Sequence, residues 1–329
     1  MSNDQAEVGH RSLGGSDLLI SPIGLGCWQF SKRRTLAGKF WSMVEDEEIA
    51  AIVKASMERG VNWFDTAESY GDGASEKSLA AALQTLNVKP GEVIIASKWR
   101  PIPRRASSIQ KTIGARLDCL APYSIDLFQV HNPFHFSTIP RVMTAMARLV
   151  ESGKIRYVGV SNYSADQMRR ADEALRERGL RLVSNQVRYS LLHRRIETNG
   201  LLETAVELGI TIIAYSPVAQ GLLSGKFHDQ PGLVKRLPGF RRYLPDFQPG
   251  ALNKSRPVVE ACREIGRRYG LDPVQVALNW LVHCQEDTVA AIPGATRVSQ
   301  AESNAEALSF RLTRDEMDHL DRLSSAYKT

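Results

Sequence analysis

The sequence predicts one α/β domain over residues 1–329, folded as a (β/α)8 TIM barrel with a β-hairpin before it and an extra helix after it. Three observations predict this. Short apolar runs alternate with stretches of helical period along the chain. The runs end in order at Cys27, Asp65, Lys98, His131, Ser161, Gln186, Ser216 and Pro293. Asp65 to Lys98 and Lys98 to His131 are both 33 residues, close to the roughly 30 that a strand, its loops and a return helix need. A 329-residue chain has room for two domains, but barrels of this length are routinely one. A doubly wound open sheet is the competing fold. It wants G-x-G-x-x-G after its first strand, and Gly24-Leu25-Gly26-Cys27-Trp28-Gln29 lacks the third glycine.

In order, residues 1–10 are expected to be flexible. Runs 11–13 and 18–20 flank Gly14-Gly15-Ser16-Asp17, a hairpin that would plug the barrel's bottom. Strand one is 23–27, interrupted by Gly24 and Gly26, where backbone or ligand comes close. Residues 31–44, with Lys32, Arg33, Arg34 and Trp41, form a polar loop above it. Helix 45–59 repeats Ile49, Ile52, Val53 and Met57 and stops at Gly60. Strand two, with Val61, Trp63 and Phe64, runs into Asp65; Tyr70 follows five residues on, then Gly71 and Gly73. Helix 75–83, strand 93–96 into Ser97-Lys98, and helix 107–120 come next. Strand 125–130 ends in His131 and leads to helix 138–151, stopped by Gly153. Strand 157–160, helix 165–178, strand 182–186, helix 200–208 and strand 210–215 continue the pattern. Strand 288–292 and helix 298–308 complete it. Helix 313–323 is the extra one, opened by a Thr313/Glu316 capping box. The connection 217–255 holds five prolines and carries Lys226, Lys235, Arg236, Arg241 and Arg242. A structureless loop of this length is usually a lid or mobile segment; its cations form a solvated face or hold phosphates.

Composition narrows the function. The chain is 43% hydrophobic and 24% charged, ordinary for a globular protein. The net charge of +6 is spread through arginine pairs such as Arg104-Arg105 and Arg241-Arg242, with no basic tail. That argues against nucleic acid and for a basic cleft that takes an anionic cofactor. The N-terminus has no apolar core for a signal peptide, and no run reaches the ~18 apolar residues of a membrane span. Cys27, Cys119, Cys262 and Cys284 are scattered, which suits reduced thiols in a cytoplasmic protein. His131 and His135 have ligand spacing, but Pro133 lies between them and no H-E-x-x-H is present, so no metal site is expected.

An acid, a base and an imidazole thus share one end of three successive strands, with a tyrosine just beyond the first. Barrels place their chemistry at that end. Alone, Asp65 also reads as a turn cap and Tyr70 as a loop aromatic; the register across three strands favours a site.

The chain resembles the aldo-keto reductases over nearly its whole length. The matching stretches are Asp65-Thr66-Ala67 with Tyr70-Gly71, Gly73-Ala74-Ser75-Glu76, Ser97-Lys98, Gln129-Val130-His131, Gly159-Val160-Ser161-Asn162, Asn185-Gln186, Tyr215-Ser216-Pro217, Gly221-Leu222-Leu223 and Ile292-Pro293-Gly294-Ala295. The style is that of the bacterial, plant and potassium-channel-β-subunit-like branch. The resemblance implies reduction of aldehydes or ketones by NADPH. Tyr70 would give the proton, Lys98 would lower its pKa, Asp65 would hold Lys98, and His131 would orient the carbonyl. It also implies that Ser161, Asn162 and Gln186 bind the nicotinamide carboxamide and that Tyr215 stacks on the ring. The stretch with Ser216, Pro217, Gly221 and Leu223 would meet the pyrophosphate, with Lys226 nearby. Gly294, Thr296 and Arg297 would meet the 2′-phosphate, with Gln300 and Asn304 flanking the adenine. No acid stands between Gly294 and Ala301 to favour NAD instead. Trp28, Phe30, Trp41 and Trp99 are candidate walls of a substrate pocket, Trp28 and Trp99 foremost. Two other functions compete. A cofactor-binding redox sensor need not keep Asp65, Tyr70, Lys98 and His131 together. A metal-dependent barrel isomerase or hydrolase needs clustered ligands that the strand ends lack.

Overall fold

The computed structural model describes residues 9–32, 40–285 and 288–329. Arg33, Arg34 and most of the N-terminal stretch expected to be flexible lie outside the described residues. Strands β1 (Arg11–Ser12) and β2 (Leu19–Ile20) pair antiparallel as the hairpin. Eight parallel strands follow in sequence order: β3 (Leu25–Gly26), β4 (Trp63–Asp65), β5 (Ile94–Trp99), β6 (Ile125–Val130), β7 (Ile155–Ser161), β8 (Leu182–Arg188), β9 (Thr211–Tyr215) and β10 (Val289–Ala291). The sheet closes on itself: Gly24 N–H donates to Ala291 O at 2.8 Å and Gly26 N–H to Pro293 O at 3.0 Å. Closure needs a glycine at position 26, because a Cβ there would come within 2.8 Å of the Ile292 carbonyl oxygen.

The helices are α1 (Asp46–Met57), α2 (Ala74–Thr85), α3 (Ser107–Leu120), α4 (Ile139–Glu151), α5 (Ala165–Arg176), α6 (Leu201–Leu208), α7 (Lys226–Asp229), α8 (Pro249–Tyr269), α9 (Pro273–His283), α10 (Val298–Glu306) and α11 (Arg314–Leu323). α1 packs on α10, which completes the outer ring. Thr313 and Glu316 form the capping box of α11. None of the described helices is long and apolar enough to cross a membrane.

The connection between β9 and β10 differs from expectation. Residues 217–255 are not structureless: they form 3-10 turns at Ala219–Ser224, Pro231–Arg236, Arg241–Tyr243 and Pro245–Phe247, together with α7 and the start of α8. Pro231, Pro245 and Pro249 each open a helical turn, because proline's fixed φ suits the first helical positions. α9, which the sequence did not announce, carries a full capping box between Asp272 and Gln275.

Strand alternation builds two apolar layers. Phe64, Ile95, Phe128 and Val130 face outward under the helices. Trp63, Ala96, Leu127, Val183 and Ile213 face inward and meet Leu13, Leu18 and Ile20 of the hairpin. The hairpin therefore fills the lower barrel. Gly24 is required here too, since a Cβ would lie 2.3 Å from the Trp63 indole. Two residues further up β4, β5 and β6, at Asp65, Lys98 and Gln129, the inward positions turn polar.

Candidate active site

Those polar positions form one bonded cluster. Asp65 and Lys98 are both buried, at 1% and 0% exposure. Lys98 Nζ donates to Asp65 Oδ1, to the Thr66 carbonyl at 2.9 Å and to Tyr70 Oη at 3.4 Å. The other carboxylate oxygen, Oδ2, accepts amide N–H groups from Gln129 at 3.1 Å and Gln186 at 2.9 Å. Both carboxylate oxygens are therefore hydrogen-bonded, as a buried polar group requires. Burial opposes the lysine's charge, but Asp65 and Tyr70 outweigh it, and the Lys98 pKa is raised.

Tyr70 stands on the turn after β4, stacked on Trp28 at 5.9 Å and edge-on to His131 at 5.6 Å. Burial pushes its phenol up and Lys98 pulls it down; burial is the larger, so the net shift is upward. Lys98 thus acts in the expected direction, and burial, which the expectation left out, outweighs it. His131 is pushed down to about 3, by burial first and by Lys98 second, and is neutral. Its Nδ1 lies 3.1 Å from Ser69 Oγ.

These residues line one end of a cleft of about 750 Å³. Asp65, Tyr70 and His131 border it, with Lys98 beneath. Ser161, Asn162, Gln186, Tyr215, Ser216, Pro217, Gly221, Lys226, Gly294, Thr296, Arg297 and Gln300 line the rest, with Trp28 and Trp41 on the near wall. Four expected residues lie elsewhere. Leu223 is buried in the outer core, and its N–H donates to Val218 O. Asn304 is buried on α10 outside the lining, its Nδ2 without a partner. Trp99 and Phe30 are fully buried in the outer layer, and the Trp99 indole donates to Ser108 Oγ. Because Lys98 points inward, Trp99 must point outward, so it does not wall a substrate pocket.

The cleft has the features of a dinucleotide site. At its centre Ser216, Ala219, Gln220 and Gly221 all have positive φ, at 50°, 47°, 56° and 89°. The Ala219 and Gly221 N–H groups close this turn on the Ser216 and Val218 carbonyls, both at 2.9 Å, and fix its backbone along the cleft. Lys226 lies beside Arg241 and Arg297; burial first, and then these two cations, lower its pKa. Cations crowded in this way are relieved by a polyanion. On the strand side, Tyr215 Oη donates to Asn162 Oδ1 at 3.1 Å, and Asn162 Nδ2 donates to Ser161 Oγ at 3.1 Å. Gln186, expected at the carboxamide, gives its amide N–H groups to Asp65 and Gln129. At the far end Gln300 Oε1 accepts both the N–H and the hydroxyl of Thr296, at 2.8 and 3.1 Å. Arg297 is exposed and is the N-cap of α10 rather than part of its first turn.

Several polar residues escaped the sequence. Gln129 stands two before His131 on β6, where alternation points it at Asp65. Glu48 comes from α1, 250 positions away, to accept the Val298 N–H at 3.1 Å, which brings an acid to the residue next to Arg297 though not into the cleft lining. Glu76 is wholly buried behind Lys98; it accepts the Ser97 hydroxyl at 2.6 Å and lies 3.0 Å from Arg116. Burial, only partly countered by Arg116, pushes its carboxyl up to about 7. Among the described residues, no three His, Cys, Asp or Glu side chains could together hold a metal.

Fold and site together define a barrel with a buried acid–base cluster at the C-terminal strand ends, open to a basic cleft of dinucleotide shape. The Aldo/keto reductase family model matches residues 22–325, and the chain belongs to that family, as an oxidoreductase. It is 37% identical to an uncharacterized oxidoreductase of Mycobacterium tuberculosis, over 94% of this chain and 91% of that protein. It is 33% identical to the chloroplastic pyridoxal reductase of Arabidopsis thaliana, over 92% and 83%. Among solved structures it is similar to a glycerol dehydrogenase from Gluconobacter oxydans (TM-score 0.82, 25% identity, 97% and 96% covered). It is also similar to a thermostable aldo-keto reductase crystallised with epalrestat (TM-score 0.75, 28% identity, 95% and 99% covered).

Proposed function

We propose that this chain is an NADP(H)-dependent enzyme that reduces aldehydes or ketones to alcohols, with Tyr70 as the proton donor. The observation that carries the proposal is the Lys98 ammonium, bonded at once to Asp65 and to the Tyr70 phenol at the cleft's edge. The nicotinamide cofactor, when bound, supplies the hydride. Tyr70 Oη gives its proton to the carbonyl oxygen as negative charge develops there. Its raised pKa keeps it protonated near neutrality, loaded for reduction. Lys98 then stabilises the phenolate, and Asp65, fixed by Gln129 and Gln186, keeps Lys98 charged and in place. Neutral His131, its Nδ1 held 3.1 Å from Ser69 Oγ, would orient the carbonyl oxygen from the cleft's edge.

Ser161, Asn162, Gln186 and Tyr215 would hold the nicotinamide end. Ser216, Pro217, Gly221 and Lys226 would hold the pyrophosphate, and Gly294, Thr296, Arg297 and Gln300 the adenosine end, with Leu223 and Asn304 packed behind them rather than in contact. Trp28 would flank the substrate. The names pyridoxal reductase and glycerol dehydrogenase both fit carbonyl–alcohol interconversion. A sensor with little turnover would need no proton donor, and the intact cluster favours turnover. We read the chain as one domain, and a cytoplasmic location suits its four unpaired cysteines.

The test is a fluorescence titration with NADPH followed by stopped-flow turnover on an aldehyde and ketone panel. Tyr70→Phe should bind NADPH normally and lose on the order of 10² to 10⁴ in turnover. A mutant with wild-type kcat, where chemistry limits the rate, would overturn the assignment.

A further inference from the structure

We propose that Glu68 is a positioning residue: with Arg104 it clamps the Tyr70 turn to the end of β5 and so sets the Tyr70–Lys98 geometry. The proposal rests on the reductase reading above. The 3.4 Å contact between Tyr70 Oη and Lys98 Nζ is long and too weak to hold a phenol by itself. Tyr70 also stands off the sheet, on a turn where Gly71, Asp72 and Gly73 all have positive φ. Something must tie that turn to β5, and Glu68 does.

Its backbone N–H donates to the Lys98 carbonyl at 3.2 Å, and its carbonyl accepts the Gly73 N–H at 3.0 Å, closing the turn. Its buried carboxylate accepts the Arg100 N–H at 3.0 Å. Arg104 Nη1 reaches both carboxylate oxygens, at 2.7 and 2.9 Å. The residue two before Tyr70 is thus bonded to the residue two after Lys98. Arg104 extends the tie, because its carbonyl accepts the Phe136 N–H at 3.1 Å from the loop that follows His131. Glu68 and Arg104 do not line the cleft. They act on the reaction through Tyr70, Lys98 and His131.

The contact geometry supplies a rescue test. One nitrogen of Arg104 meets both oxygens, so a lysine ammonium can take its place, whereas methionine cannot. In R104M and E68Q, kcat should fall by on the order of 10², the loss expected for a displacement near 1 Å. The NADPH Kd and the aldehyde KM should stay within about threefold, since neither residue touches a ligand. R104K should recover most of kcat. The titratable groups facing the phenol are Lys98, Asp65, Cys27 and His131. Of these Lys98 lowers the phenol's pKa, so loosening the turn should move the alkaline limb of the kcat profile to higher pH.

The clamp is refuted if folded R104M keeps kcat within twofold, or if R104K is as impaired as R104M. Should R104M not fold, E68Q, which keeps the size of Glu68, gives the same readouts. A wild-type protein that binds NADPH but turns over no carbonyl refutes the reductase reading instead. In that case the Tyr70 phenol titration, followed by ultraviolet difference spectra, still tests the clamp: an unchanged titration in E68Q refutes it.

Discussion

NADPH and NADH differ only in the 2′-phosphate of the adenosine ribose, so preference between them must arise at that one spot. In the proposed orientation the phosphate meets the start of α10, where Arg297 and Thr296 stand. Glu48 Oε1 already accepts the Val298 N–H there, at 3.1 Å. A phosphate that uses this amide must displace a carboxylate and then sit beside it. A hydrogen bond to a charged group contributes about 1.5–3 kcal/mol. Glu48 is half-buried and faces solvent in part, which puts it at the lower end. At about 1.4 kcal/mol per decade, Glu48→Ala should tighten NADPH binding by roughly tenfold and leave NADH within about twofold. Arg297→Ala should do the reverse, weakening NADPH by roughly 10- to 150-fold on the same scale. Glu47 shares the first turn of α1 with Glu48, so Glu47→Ala controls for the loss of a helix-terminal charge. The assay is equilibrium fluorescence titration of both cofactors at two salt concentrations, with the differences shrinking at high salt. Equal effects of Arg297→Ala on both cofactors would place that side chain away from the 2′-phosphate. An unchanged NADPH affinity in Glu48→Ala would show that the phosphate does not use the Val298 amide.

Three further outcomes are expected. Asp65→Asn leaves the Lys98 ammonium buried without its counter-charge, which costs about 3–5 kcal/mol of stability. The double variant with Lys98→Met should be less unstable than the sum of the two singles in urea unfolding, and strict additivity would mean that they act separately. Glu76 has a folded pKa near 7, above its ordinary 4.5, so its contribution to stability is complete below about pH 4.5 and is lost as pH rises through about 7; Glu76→Gln should flatten that part of the Tm profile between pH 5 and 8, and superimposable profiles would contradict the raised pKa. His131, held down to about 3, should add no break near pH 6 to the kcat profile; a break there that His131→Gln removes would show an imidazole that titrates normally.

The parts of the site visible in the sequence were those that strand register carries. Asp65, Lys98 and His131 announce themselves because equal spacing puts equal strand ends on one rim. Gln129 was also within reach of that logic, and Trp99 was excluded by it, since neighbours on a strand point to opposite faces. Asp272, Pro273 and Gln275 carry a helix-start pattern that the expectation passed over, and Pro231, Pro245 and Pro249, read as part of a loop, start helical turns. Other features have no local signature. Glu48 meets Val298, and Arg104 meets Glu68, only after the barrel has closed. The direction of the Tyr70 shift depends on burial, which no nearby residue type encodes; the lysine alone suggested the opposite sign.

The hairpin in the lower barrel makes the molecule a cup rather than a pipe. Leu13, Leu18 and Ile20 are packed against Trp63 and Val183, so no ligand leaves through the floor. In the proposed reaction, cofactor and substrate would both use the upper rim, where the cleft opens among the described residues. Whichever sits deeper would then enter first and leave last, so a small two-stranded plug at the bottom would bear on the order of events in each turnover.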